Sequence, residues 1–291
     1  MQDKQVLTVA AAFNQTARKF ADRPAQKFNP DLYNGDNNGT FTYGEMRDRV
    51  EKIGCGLISL GLAAKDRVAI MANSSAYWTQ ADMALACCGA VSVTIYPTLS
   101  VHEVSYIVND SQSKYLFVGN EEVLARIKPG LEHMPSLEKI IVMDLKYQGQ
   151  DKFIGFNQLI ELGDKSRQQL MPEYEKRWAS VTLDDWYTIL YTSGTTGQGK
   201  GVILTHGGAG SKMNGVEDYF NRHNMKVTEE DVTLCFLPLS HIFDRGSCQT
   251  LAIYRGSCIC YADNVASLLN DLQKYNPTWF NCVPRLYEKI F

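Results

Sequence analysis

Tyr191-Thr192-Ser193-Gly194-Thr195-Thr196-Gly197-Gln198-Gly199-Lys200-Gly201-Val202 sets four Ser and Thr hydroxyls, four glycines and one lysine between two apolar runs. Glycines let a backbone turn tightly and bring N–H donors close to a polyphosphate, hydroxyls add donors or a magnesium ligand, and Lys200 supplies a mobile positive charge. The stretch reads as a grip for the phosphates of a nucleoside triphosphate. Gly194, Gly199 and Lys200 also satisfy G-x-x-x-x-G-K, but Gly201 stands where a Walker loop needs Ser or Thr. A Walker loop opens a helix, whereas Gly201-Val202-Ile203-Leu204-Thr205 is a glycine and a β-branched apolar run, which predicts a strand. Trp186 to Tyr191 reads as a strand too, so the loop is expected to join strand to strand. A Gly/Ser/Thr-rich surface turn is the plain structural alternative.

Such a strand-loop-strand phosphate loop resembles that of the adenylate-forming superfamily, which includes acyl-CoA synthetases, luciferases and peptide-synthetase adenylation domains. The usual pattern there is [Y/F]-T-S-G-T-T-G-x-P-K-G-V, and this chain matches it throughout except for Gly199 in place of proline. Glycine keeps the turn possible while removing the φ restraint.

Away from the loop, strand and helix patterns alternate along the chain. Thr42 with Glu45 forms a capping box before Met46, Val50, Ile53, Leu57 and Ile58, spaced for one face of a helix that Gly61 closes. Arg67 to Ala72 is then a strand, Asn73 an N-cap for a helix through Cys88, and Val91 to Ile95 the next strand. Ser100 and Glu103 make a second capping box, followed by strand Tyr115 to Val118, a helix from Glu121 and strand Lys139 to Met143. Beyond the phosphate loop come a helix over 207–221, strand 232–237, helix 242–254, strand 257–261, helix 265–275 and strand 278–283. This alternation predicts an α/β fold of parallel-rich sheets flanked by helices. Asn29 to Gly39 reads as a hairpin or loop. A composition shift near 165–180 suggests a boundary between a first α/β subdomain, 1–175, and a second that starts at 176–291 with the phosphate loop.

A net charge of −3 leaves no electrostatic footprint for nucleic acid. The eight cysteines include no C-x-x-C and mostly sit in apolar runs, so they read as reduced core residues of a cytoplasmic protein, without metal or disulfide use. The apolar stretch from Val6 is short, follows Asp3 and continues in helical pattern to Phe20, which predicts an amphipathic helix rather than a signal peptide. No run is long enough to span a bilayer, and peripheral membrane association stays open.

A second motif, Phe236-Leu237-Pro238-Leu239-Ser240-His241-Ile242-Phe243-Asp244-Arg245, ends a strand and begins a helix, the place where ligands collect in open α/β sheets. Alone, His241 there is as compatible with a structural hydrogen bond as with function. The segment is similar to the second core motif of long-chain acyl-CoA synthetases, which implies that His241 lines an acyl-adenylate pocket; Phe243 and Arg245 match without a defined role. Cys282-Val283-Pro284-Arg285-Leu286-Tyr287-Glu288-Lys289-Ile290 resembles another segment of the same enzymes. The likeness implies the large-domain fold of that family, ATP, Mg2+ and CoA as cofactors or co-substrates, and a fatty acid as partner. Lys200 and His241 are then the catalytic candidates. Thr192, Ser193, Gly194, Thr195, Thr196, Gly197 and Lys200 bind phosphate, and Thr192 or Thr196 reaches the magnesium ion.

The family's Y-G-x-T-E and T-G-D segments and its carboxy-terminal domain have no counterpart here, so the chain is expected to be an amino-terminal fragment that alone forms no acyl-CoA. A non-catalytic nucleotide- or acyl-binding module, an adenylating enzyme for a different carboxylate, and a P-loop kinase or ATPase are the rival readings.

Overall fold

Two sheets, packed through shared helices, account for the alternation. The computed structural model describes residues 5–33, 35–192 and 199–284. Helix α1 (Val9–Lys19) is capped by Thr8, whose hydroxyl accepts from Ala11 N–H. Strands β1 (Pro24–Lys27) and β2 (Thr40–Thr42) pair antiparallel around the Asn/Gly-rich excursion, which forms two short 3-10 turns rather than a free loop. Asp36 anchors it, accepting from Arg49 and from Tyr77 Oη at 2.7 Å. Helix α2 (Tyr43–Ser59) begins with the Thr42/Glu45 capping box.

Strand β3 (Arg67–Met71), helix α3 (Ala76–Cys87), strand β4 (Val91–Ile95), helix α4 (Val101–Ser111) with its Ser100/Glu103 capping box, and strand β5 (Tyr115–Val118) then follow. The N-cap of α3 is Ser75 and not Asn73, because Ser75 Oγ accepts from Trp78 N–H at 3.1 Å; Asn73 stays in the loop before it. Helix α5 (Glu121–Ile127), strands β6 (Lys139–Val142) and β7 (Phe153–Gly155), and helix α6 (Phe156–Ser180) complete this half.

Residues 165–180, where composition suggests a boundary, are the second half of α6, a helix that continues through Pro172. Its close seat on α2 explains the continuity: a β-carbon on Gly163 would lie 1.7 Å from Lys52 O, so only glycine fits. Arg167 adds ion pairs to Asp48 and Glu51 of α2.

Strands β8 (Trp186–Thr192) and β9 (Lys200–Thr205) precede helix α7 (His206–Arg222) and strand β10 (Val232–Cys235). Helix α8 (Ile242–Asp244) runs through a π-helical segment (Arg245–Thr250) into α9 (Leu251–Arg255), so the single regular helix expected over 242–254 is widened in its middle. Strand β11 (Cys258–Tyr261), helix α10 (Leu268–Tyr275) and the short strand β12 (Trp279–Phe280) follow. Strand 278–283 is thus cut to two residues, paired with β10 only at Thr233 and Leu234.

The large sheet has the order β7-β6-β5-β3-β4-β8-β9, parallel except for β9, and the small sheet β12-β10-β11-β1-β2, parallel except for β2. Each sheet draws strands from both sides of residue 175. Helix α3 is buried on every side, as a helix inside a core must be. Several of its polar side chains are paired: Gln80 Nε2 donates to Gln26, Thr79 to Gln249, and Asp82 accepts from Tyr187 Oη, while among the described residues Trp78 Nε1 and Gln80 Oε1 have no hydrogen-bond partner. A second apolar layer packs Val104, Ile107, Val108, Leu124 and Ile127 of α4 and α5 on the far face of the large sheet. Among the described residues no helix is long and apolar enough to cross a membrane.

Candidate functional site

The β8–β9 register ends on the pair Thr192↔Lys200, so the strand-loop-strand expectation holds and residues 193–198 connect that pair. Ser193, Gly194, Thr195, Thr196 and Gly197 lie outside the described residues. Thr192 and Lys200 are both exposed at this mouth. Helix α4 supports it: Tyr106 Oη donates to Gly199 O at 3.0 Å, Tyr191 Oη donates to Asp110 at 2.5 Å, and the two rings meet edge to face.

Gly199 is not in the left-handed region, and a β-carbon there would meet nothing closer than Thr192 O at 3.3 Å. Gly199→Pro is therefore expected to be tolerated and to stabilise by about 0.4–1 kcal/mol, through loss of unfolded-chain freedom. Thermal unfolding checks this; a clear fall in melting temperature would mean that the loop needs a backbone shape proline cannot take.

The second motif leaves the end of β10 and is fastened to the large sheet. Ser74 Oγ donates to Leu237 O at 2.9 Å and accepts from Leu239 N–H at 2.8 Å. Thr94 Oγ1 donates to Ser240 O at 3.0 Å and Ser240 Oγ to Ile95 O at 3.2 Å. Because Thr94 of β4 also pairs with Leu190 of β8, the His241 loop and the Thr192/Lys200 mouth flank one strand end. His241 is exposed and caps α8, its Nδ1 accepting from Phe243 N–H at 3.1 Å. An accepting Nδ1 puts the neutral ring's proton on Nε2 and leaves that nitrogen for a ligand. The histidine thus fills the structural role and still stands at the mouth.

Between the two sheets opens a largely apolar cavity of about 880 Å³, walled by Tyr96 and Pro97 after β4, Leu237 and Pro238 after β10, and Leu268 and Leu269 of α10. Val265, Leu269 and Val283 are exposed on its wall. It shares Asn73, Ser74 and Asp263 with a smaller cavity of about 420 Å³ that reaches Gly119 and Asn120 after β5. The loops after β3 and β5 leave in opposite directions, and the crevice between such strand ends is where open α/β sheets take ligands. Neither Lys200 nor His241 lines these cavities. Among the described residues Asp263 Oδ1 is buried without a partner, while its Oδ2 accepts from Asn29.

Sequence reading missed the role of Arg245. Its guanidinium is wholly buried, pairs with Asp82 of α3, and donates to Thr188 of β8 (2.6 Å) and Ser92 of β4 (2.7 Å). It lies over the Tyr187 ring at 4.4 Å and the Trp78 ring at 5.3 Å. The helix after His241 is thereby tied to the strand that enters the phosphate loop. One residue earlier, burial pushes the Asp244 carboxyl up to about 6, with Asn281 and Cys235 donating to it. A lone acid in the weakly polar run 76–88 and a lone arginine beyond the histidine were the available signals.

The family described as AMP-binding enzyme matches residues 13–291. Among curated proteins, "Long chain acyl-CoA synthetase 6, peroxisomal" of Arabidopsis thaliana is 32% identical over 86% of this chain and 35% of its own length. "Long chain acyl-CoA synthetase 1" of the same plant is 28% identical over 99% of the chain and 44% of its own length. The chain thus spans less than half the length of these relatives. Among solved structures, an anthranilate CoA ligase in complex with anthranoyl-AMP superposes with a TM-score of 0.79 at 21% identity, over 96% of this chain and 50% of that one. At that identity the likeness carries the fold alone.

Proposed function

The chain belongs to the AMP-binding enzyme family, and from that premise we propose that it carries the phosphate-gripping portion of an ATP-dependent ligase that joins a long-chain fatty acid to CoA. The observation that carries this reading is the hairpin. Thr192 and Lys200 bracket residues 193–198 at the strand end to which the His241 loop is hydrogen-bonded, beside a cavity apolar enough for an acyl chain.

In the proposed reaction the fatty carboxylate attacks the α-phosphorus of ATP and pyrophosphate leaves. The thiol of CoA then displaces AMP to give the thioester. A carboxylate alone is a poor acyl donor because its leaving group would be oxide, and adenylation supplies a better one. It is already ionised, so no general base is needed. What the site must do is hold the triphosphate in line and offset the charge that grows on the departing pyrophosphate. We assign the second task to Lys200, and phosphate contacts to Thr192, Ser193, Gly194, Thr195, Thr196 and Gly197. Threonine hydroxyls are hard oxygen donors, and exposed Thr192 fits a magnesium ligand, with Thr196 as the other candidate. Magnesium would supply charge neutralisation at the phosphates.

His241 is assigned to the acyl side. His241→Ala is expected to change fatty-acid use while leaving ATP affinity close to that of the parent. Calorimetry with each ligand on the full-length protein checks this; equal loss of both, with the fold intact, would reduce His241 to a helix cap. The function itself is tested by ATP–pyrophosphate exchange in the full-length protein across fatty, aromatic and amino acids. Exchange with fatty acids of long chain supports the reading, and exchange confined to another carboxylate class refutes it.

A further inference from the structure

We propose that Cys235, Asp244 and Cys248 form a site for one thiophilic divalent cation, with zinc the ion whose chemistry fits. The spacing of the cysteines hides it, because the ligands come from the end of β10 and from the helix that follows, not from a C-x-x-C turn. The fold brings Cys235 Sγ, an Asp244 carboxylate oxygen and Cys248 Sγ within 4.8 Å of one another, all buried. Zinc binds thiolate sulfur at about 2.3 Å and carboxylate oxygen at about 2.0–2.2 Å, so two ligands of one tetrahedral ion lie roughly 3.5–4 Å apart. The Cys235 Sγ to Asp244 Oδ2 distance is already 3.3 Å.

The surroundings suit an ion. Asn281 Nδ2 donates to Asp244 Oδ1 at 2.7 Å, which orients the carboxylate and leaves Oδ2 toward the sulfurs, as partners of metal ligands do. Among the described residues no lysine, arginine or histidine pairs with Asp244; it is a buried acid whose partners are neutral. A cation would supply the missing countercharge. Cys235 also lines the 880 Å³ cavity, which gives an ion a way in, and water can take the fourth position. On loading, each thiol releases its proton to solvent, and two thiolates with one carboxylate hold the dication. Thiolates select zinc over magnesium, so this site is separate from the proposed Mg·ATP site. The ion would fasten the helix that starts at His241 to the end of β10.

The test is cobalt(II) titration of the chelator-treated chain. One equivalent should give a thiolate-to-cobalt charge-transfer band with tetrahedral visible bands, release protons, raise the melting temperature and be displaced by zinc. Cys248→Ser and Asp244→Asn should each weaken binding by more than roughly tenfold, the loss that even outer partners of a metal site can cause. Cys282→Ser should leave the spectrum as it is. Absence of the band in the unaltered chain at stoichiometric metal overturns the proposal, whatever the variants do. So does a band that survives Cys235→Ser with Cys248→Ser, or one lost with Cys258→Ser instead.

Discussion

Asp82→Ala is expected to lower stability by about 3–5 kcal/mol, because it leaves the buried guanidinium of Arg245 without a countercharge. The pair is fully satisfied as it stands. Arg245 donates to Asp82, Thr188 and Ser92, and Asp82 also accepts from Tyr187 Oη at 2.8 Å and Gln249 Nε2 at 2.7 Å. An arginine cannot shed its proton to escape the low dielectric, so its only relief would be water entering between the sheets. The pair itself is a different matter from its breakage. Replacing both partners by apolar residues of similar size, Asp82→Leu with Arg245→Met, should recover most of the loss, since such exchanges are often neutral or stabilising by 1–4 kcal/mol, roughly. Denaturant unfolding of the three variants measures both terms. A single-variant loss below about 1 kcal/mol, the scale of an exposed ion pair, would mean that water already reaches Arg245.

That network also marks where the sequence stops being readable. Thr42 with Glu45 and Ser100 with Glu103 are local devices, decided within four residues, and both capping boxes form as spaced. The β-branched run of β4 and the aromatic and aliphatic run of β5 have the predicted limits for the same reason. Position 73 is different: Asn73 and Ser75 are both able caps, and the choice rests on where α3 must start to reach the core. Over 165–180 the sequence shows only a shift in composition, whereas α6 runs on through Pro172 because its seat on α2 through Gly163 outweighs one lost hydrogen bond. At the site, the hairpin and the position of His241 at a strand end were legible because each motif switches period at the mouth. The union of the two motifs at β4, and the burial of Arg245 beneath them, depend on parallel strand order, which no local pattern encodes.

Lys200→Ala, made in the full-length protein, is expected to slow adenylation by roughly two to three decades, the ~3–4 kcal/mol lost when one preorganised charge stabiliser is removed. The side chain is exposed at the first position of β9, across from Thr192, so its removal should cost the fold within about 0.5 kcal/mol. Effects on rate and stability therefore separate, which they would not for a buried structural lysine. The two half-reactions separate as well. Lys200 is proposed to face the pyrophosphate, so ATP–pyrophosphate exchange should fall by the full amount, while thioester formation from supplied acyl-adenylate should fall far less. Arginine at this position would restore charge but not the compact ammonium, and Lys200→Arg should recover only part of the rate. Exchange unchanged in Lys200→Ala would remove the residue from the mechanism. Equal loss in both half-reactions would move it from the pyrophosphate to a group that both steps share.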